Sequence, residues 1–84
     1  MKLLKDFIML NDIVNAEIHD KKDDVLHFVE VNTCRNLSIF DVYEQFTNDF
    51  SDNLKETTKH FNNVDDLYKF LDNIQLTNYH LIIH

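Results

Sequence analysis

The chain has 84 residues, 8 of them basic and 15 acidic, for a formal net charge of −7, which fits one small domain over residues 1–84 whose core hides only about 60 to 65% of the unfolded surface. Such an acidic balance repels phosphate, so direct binding to nucleic acid is disfavoured and a basic partner is favoured. The chain has no glycine, which excludes Gly-rich phosphate loops, and its one cysteine, Cys34, excludes an intramolecular disulfide and fits a reducing, cytoplasmic compartment, that of a host cell if the gene is viral.

Proline is absent as well, while the chain holds ten Asn and eleven Asp. These are the residues that best tolerate the left-handed backbone region and build side-chain turns. Asn11-Asp12, Asn62-Asn63 and Thr77-Asn78 are therefore read as turns. Single Ala and Arg residues beside plentiful Asn, Lys, Ile and Phe point to an AT-rich gene, as in low-GC bacteria, their phages and some parasites.

In chain order, Leu3, Phe7, Leu10 and Val14 recur at helical spacing and predict a short amphipathic helix over 2–10, with a strand through Phe7 to Leu10 as the alternative. Lys5 and Asp6 interrupt the apolar run, so neither a signal peptide nor a membrane span is read there. Residues 13–31 read as a β-hairpin: Val14, Ala16 and Ile18 alternate with polar neighbours, a charged stretch at 20–24 interrupts, and 25–31 is β-branched and aromatic. Val25, His27, Val29 and Val31 point one way, with Leu26, Phe28 and Glu30 the other. A strand apolar on both sides belongs inside a sheet, or has its second face against a helix or a partner.

Ser38 then opens an expected helix over 38–51. Ile39, Tyr43, Phe46 and Phe50 recur at three-and-four spacing, flanked by Phe40 and Val42, and the Ser38 hydroxyl is placed to cap the start with Asp41 three residues on. The opposite side carries Asp41, Glu44, Asn48 and Asp52 as an acidic ridge. Residues 54–61 are read as a strand in preference to a continuation of that helix. Asn63 caps a second helix over 64–73, with Val64, Leu67, Tyr68, Leu71 and Ile74 as its apolar stripe. The run 79–83 suits a short strand covered on both faces. The expected fold is α+β: a hairpin and two or three short helices on a mainly antiparallel sheet.

Residues that carry chemistry are sparse. His80 and His84 are four apart, about 13 Å in a strand, and His19 and His27 approach across the hairpin without a Cys or carboxylate at ligand spacing, so no metal or cofactor is expected. Cys34 lacks the local context of a thiolate nucleophile, and an enzyme is not expected. Asp23-Asp24 reads as a solvated turn, and Asp65-Asp66 as favourable charge at a helix N-terminus. Lys21, Lys22 and Arg35 form the one positive cluster.

Charge position alone selects Asp41, Glu44, Asp49 and Asp52, with Asp65 and Asp66 as a second patch, for contact with a basic protein such as a nucleic-acid-binding enzyme. The expected function is a non-catalytic acidic interaction module with no membrane association. In size, charge and composition it resembles small anti-CRISPR and DNA-mimic inhibitors as a type, with no motif or contact residue carried over. The alternative is a structural protein that forms a homodimer through a strand edge, at Val25 to Val31 or Tyr79 to Ile83.

Overall fold

A computed structural model describes residues 1–48 and 52–84. Alternation of apolar and polar residues drives the first half of the chain into a meander. Strand β1 (Ile13–Lys22) turns at Asp23-Asp24 into β2 (Val25–Cys34), and a one-turn 3-10 segment at Arg35–Leu37 leads into β3 (Ile39–Asn48). Strand β4 (Asn53–Phe61) follows, and the final strand β5 (Tyr79–Ile83) returns to pair with β1. The result is a five-stranded antiparallel sheet of order β4-β3-β2-β1-β5. The expected hairpin, the strand at 54–61 and the short last strand are all present, and the domain is α+β as expected.

Two helices, α1 (Lys2–Leu10) and α2 (Val64–Asn73), lie on one face of the sheet. The Asn63 side chain caps α2 by accepting from the Asp66 N–H at 2.9 Å. Leu67 and Leu71 of α2, with Leu4 and Ile8 of α1, are buried against Val14, Ala16, Ile18, Val29, Val31, Phe40 and Val42 of the sheet. The helix over 2–10 thus buries Leu4 and Ile8, whereas Leu3, Phe7 and Leu10, expected on its inner face, are exposed. No helix among the described residues is long and apolar enough to cross a membrane.

The expected helix over 38–51 is not formed: its described part is β3, and residues 49–51 lie outside the described residues. Two periods coexist in this segment. Phe40, Val42, Glu44 and Phe46 also alternate, and Ile, Phe, Val, Tyr and Thr favour a pleated surface. The decision comes from β2, which pairs with β3 over ten residues, from Val25↔Asn48 to Cys34↔Ile39. The buried side chains are consequently Phe40 and Val42, while Ile39 and Tyr43 point to the other face. The last strand also differs from expectation. It is an edge, with Tyr79 and Ile82 exposed, so it is not covered on both sides.

Ser38 does not cap a helix. Its φ of 54° and ψ of 39° place it in the left-handed region, where it closes the 3-10 turn with an N–H to Arg35 O bond of 3.0 Å. This turn is clasped to the Asn11-Asp12 turn. The Asp12 carboxylate accepts from the Asn36 N–H at 2.7 Å and from its Nδ2 at 3.0 Å, the Arg35 N–H donates to Asp12 O at 2.8 Å, and the Arg35 guanidinium donates to the Ile8 carbonyl of α1. At the opposite end of the sheet, buried Asp20 of β1 accepts from the N–H groups of Thr77 at 3.1 Å and Asn78 at 2.7 Å, tying the α2–β5 connection to the sheet. The carboxylate supplies acceptors for backbone N–H groups of this short loop.

A non-Gly residue in the left-handed region carries steric strain that glycine relieves. Ser38→Gly is expected to stabilise the fold by about 0.5 to 1 kcal/mol, raising Tm by several degrees, as measured by thermal and urea unfolding.

Candidate functional site

Side chains alternate across a strand, so the register divides the sheet into two faces. The helices cover one. The other carries a central row running through Ile82, Glu17, Glu30, Tyr43 and Thr58, each the register partner of the next. Flanking rows add His80, His19, Phe28, Gln45 and Glu56 on one side, and Asn15, Asn32, Asp41 and His60 on the other. Of the eight basic residues, Lys21 alone lies on this face. Lys22, Lys55 and Lys59 fall on the helix-bearing face by register, and the others sit in the helices and the β2–β3 turn.

Glu17 and Glu30 are directly opposite each other on neighbouring strands, an arrangement in which like charges repel. Histidines partly offset it. Glu17 is paired with His84 and, at 3.2 Å, with His19, and these hydrogen bonds hold its carboxyl below the ordinary glutamate range. Glu30 accepts from Asn32 Nδ2 at 2.8 Å. Tyr43 donates its hydroxyl to Glu56 at 2.7 Å, and this bond, with partial burial and the charges of Glu56 and Glu30, pushes the phenol above its ordinary range. Asp41 pairs with His60 at 2.8 Å. Ring contacts bind the row together: His19 meets Phe28 edge-on at 5.1 Å, and Phe28 meets Tyr43 at 6.2 Å. The face thus combines carboxylates, histidines and aromatic rings, with Ile13, Leu26, Ile39 and Ile82 also exposed on it.

The six residues selected from sequence do not form one ridge. Asp41 is on the open face. Glu44, expected beside it, is on the opposite face, because residues three apart in a strand point to opposite sides. Asp52 is exposed in the β3–β4 connection, where it is hydrogen-bonded to Asn48, and Asp49 lies outside the described residues. Asp65 and Asp66 stand at the start of α2 in the helical layer. Glu17, Glu30, Glu56 and Tyr43 were not selected. Their signal was present in β1, where Asn15, Glu17 and His19 alternate with the apolar set that forms the core.

Glu44 belongs instead to a cleft between the sheet and the C-terminal end of α2. Its carboxylate lies 2.9 Å from His27 Nε2, and both side chains are nearly buried. The His27 ring stacks on Phe46 at 4.1 Å. Two adjoining cavities of about 320 and 350 Å³ share His27, Phe46 and Gln75 as walls. An imidazole oriented by a carboxylate is half of an acid-base arrangement. Neither Ser nor Cys lines either cavity, and Cys34 is on the other face of β2 from His27. His19 and His27 likewise lie on opposite faces, and among the described residues no three His, Cys, Asp or Glu side chains are grouped to hold a metal ion.

No protein-family model, curated protein or solved structure matches the chain.

Removing one member of a buried hydrogen-bonded pair strands the other. Glu44→Ala is expected to lower stability by about 1 to 3 kcal/mol, whereas Asp52→Ala stays within about 0.5 kcal/mol of the parent; urea unfolding of both variants distinguishes a folding role for Glu44 from a surface one. A second expectation concerns pH. Because the folded Glu17 carboxyl is held low, its contribution is present above the ordinary glutamate value of about 4.5 and is lost as pH falls through the folded value. The Tm of the parent should therefore fall towards that of Glu17→Gln as the pH drops below about 4.5, and parallel curves would count against it.

Proposed function

We propose that the protein is a non-catalytic binding module whose open sheet face receives a basic protein surface. The observation that carries this reading is the Glu17–Glu30 pair at the centre of the uncovered face. Like charges directly opposite weaken a sheet, and a Lys or Arg placed between them by a partner turns repulsion into attraction. Asp41 and Glu56 extend the negative surface on either side, and Phe28 and Tyr43 supply the flat aromatic contact that interfaces favour. Carboxylates on neighbouring strands stand about 5 Å apart, dense enough to occupy a groove built to hold phosphates. A nucleic-acid-binding enzyme presents such a groove, and a module of this type acts as an inhibitor by occupying it, in the manner of a DNA mimic or an anti-CRISPR protein.

The defined probe is an oligoarginine peptide titrated into isotope-labelled protein. Resonance shifts are expected at Glu17, Glu30, Tyr43 and Glu56, with affinity falling steeply between low and physiological salt. The variant Glu30→Gln/Asp41→Asn/Glu56→Gln, which keeps side-chain shape, should weaken binding by at least about tenfold, or 1.4 kcal/mol. Duplex DNA should not bind. Shifts confined to Asp65, Asp66 and Asp72 of the helical layer, or unchanged affinity in the variant, would overturn the assignment of the face.

A further inference from the structure

The sheet has two edges, and they are unlike. Strand β4 carries Lys55, Glu56, Lys59 and His60 along nine residues and is irregular where Phe46 and Thr47 face it. Charge, lysine above all, is the usual guard of an edge against pairing with another chain. Strand β5, Tyr79-His80-Leu81-Ile82-Ile83, has no Lys, Arg, Asp or Glu and is fully regular against β1. Among the described residues nothing pairs with its outer side. We propose that a second copy of this chain does so, pairing β5 with β5 antiparallel across a two-fold axis at Leu81.

The register follows from hydrogen bonding. The His84 N–H donates to the Asn15 carbonyl at 2.8 Å, and in an antiparallel ladder hydrogen-bonded and non-hydrogen-bonded pairs alternate. His80 and Ile82 therefore direct their backbone groups to β1, and Tyr79, Leu81 and Ile83 direct theirs outward. A two-fold axis through Leu81 sets Leu81 opposite its own copy and Tyr79 opposite Ile83. In that register each outward N–H and C=O of the strand finds a partner. It also brings together only apolar or aromatic groups on the helix-bearing face, and sets His80 against Ile82 on the open face. No like charges meet.

The flank of α1 beside this edge is apolar too. Leu4 and Ile8 face the sheet, and Lys5 faces α2, since its Nζ lies 2.6 Å from Asp72 and its carbonyl accepts from the Tyr68 hydroxyl at 3.2 Å. A helix turns about 100° per residue, so Leu3, Phe7 and Leu10 lie on the flank away from α2. Phe7 and Ile83 line the same depression, which places that flank above β5. Leu3 is 59%, Leu10 80%, Phe7 38%, Tyr79 42% and Ile82 44% exposed. Covered in both copies, these side chains would remove on the order of 1,000 Å² from water, the threshold for a specific interface. A two-fold axis perpendicular to the sheet keeps both helical layers on one side, where the two α1 flanks meet. It also joins the two open acidic faces into one continuous surface. Pairing through β5 does not require a partner on that face.

Sedimentation and light scattering over a concentration series test the proposal. The parent should reach a mass twice its 10.1 kDa. Ile82→Lys and Leu3→Lys, each with a circular dichroism spectrum like that of the parent, should remain monomeric at concentrations where the parent is paired, and Thr58→Lys on β4 should pair as the parent does. In a Cys34→Ser background, Leu81→Cys should form a disulfide-linked pair under mild oxidation and Ile82→Cys should not. A parent that is monomeric throughout, pairing retained in both β5 and α1 variants, or pairing lost in Thr58→Lys alone would overturn it.

Discussion

Everything in this structure depends on the ladder of β2. It is the central strand, paired with β1 and with β3 over its full length, and its Val29 and Val31 are at the centre of the core. In an antiparallel meander each new strand adds one ladder to the last, so the register of β2 sets that of β1 and β3, and through them of β5 and β4. A shift by one residue would exchange the apolar and polar sets and expose the core. With neither glycine nor proline to make turns, the chain relies on Asp23 and Ser38 in the left-handed region and on the Asp12 clasp. These polar devices fix where each strand starts.

The same register makes the two faces chemically different. Two helices of nine and ten residues can cover one side of a five-stranded sheet, not both. The covered side takes the buried aliphatic residues, while Ile13, Leu26, Ile39 and Ile82 stay on the open side, and it holds three buried polar residues, Asp20, His27 and Thr33. Asp20 serves the α2–β5 connection and His27 is held by Glu44. The uncovered side keeps carboxylates, histidines and two aromatic rings, fixed by bonds among themselves. Because their backbones belong to the sheet, little ordering remains to oppose an encounter on this face.

The acidic residues make the dependence on register concrete. Asp41 and Glu44 look alike in sequence and end on opposite faces of the sheet, one paired with the exposed His60 and one holding a buried imidazole. Glu17 and Glu30 are thirteen residues apart and become neighbours only through the hairpin. No charge count along the chain distinguishes these cases, since it does not know which strand lies beside which.

Local pattern was enough wherever one period fitted alone. The alternation of Val14, Ala16 and Ile18, the stripe of Leu67 and Leu71 behind the Asn63 cap, and the apolar run of β5 each specify an element by contacts within or next to it. Residues 39–48 satisfied two periods, and there the sequence by itself determined only that one side is buried. Which side, and in what conformation, was decided by the ladder to β2, a set of hydrogen bonds between residues distant in the chain. For the same reason the exposure of β5 as an edge, and the gathering of Glu17, Glu30, Asp41 and Glu56 on one face, belong to the tertiary structure: they follow from strand order and register, which short-range periodicity does not encode.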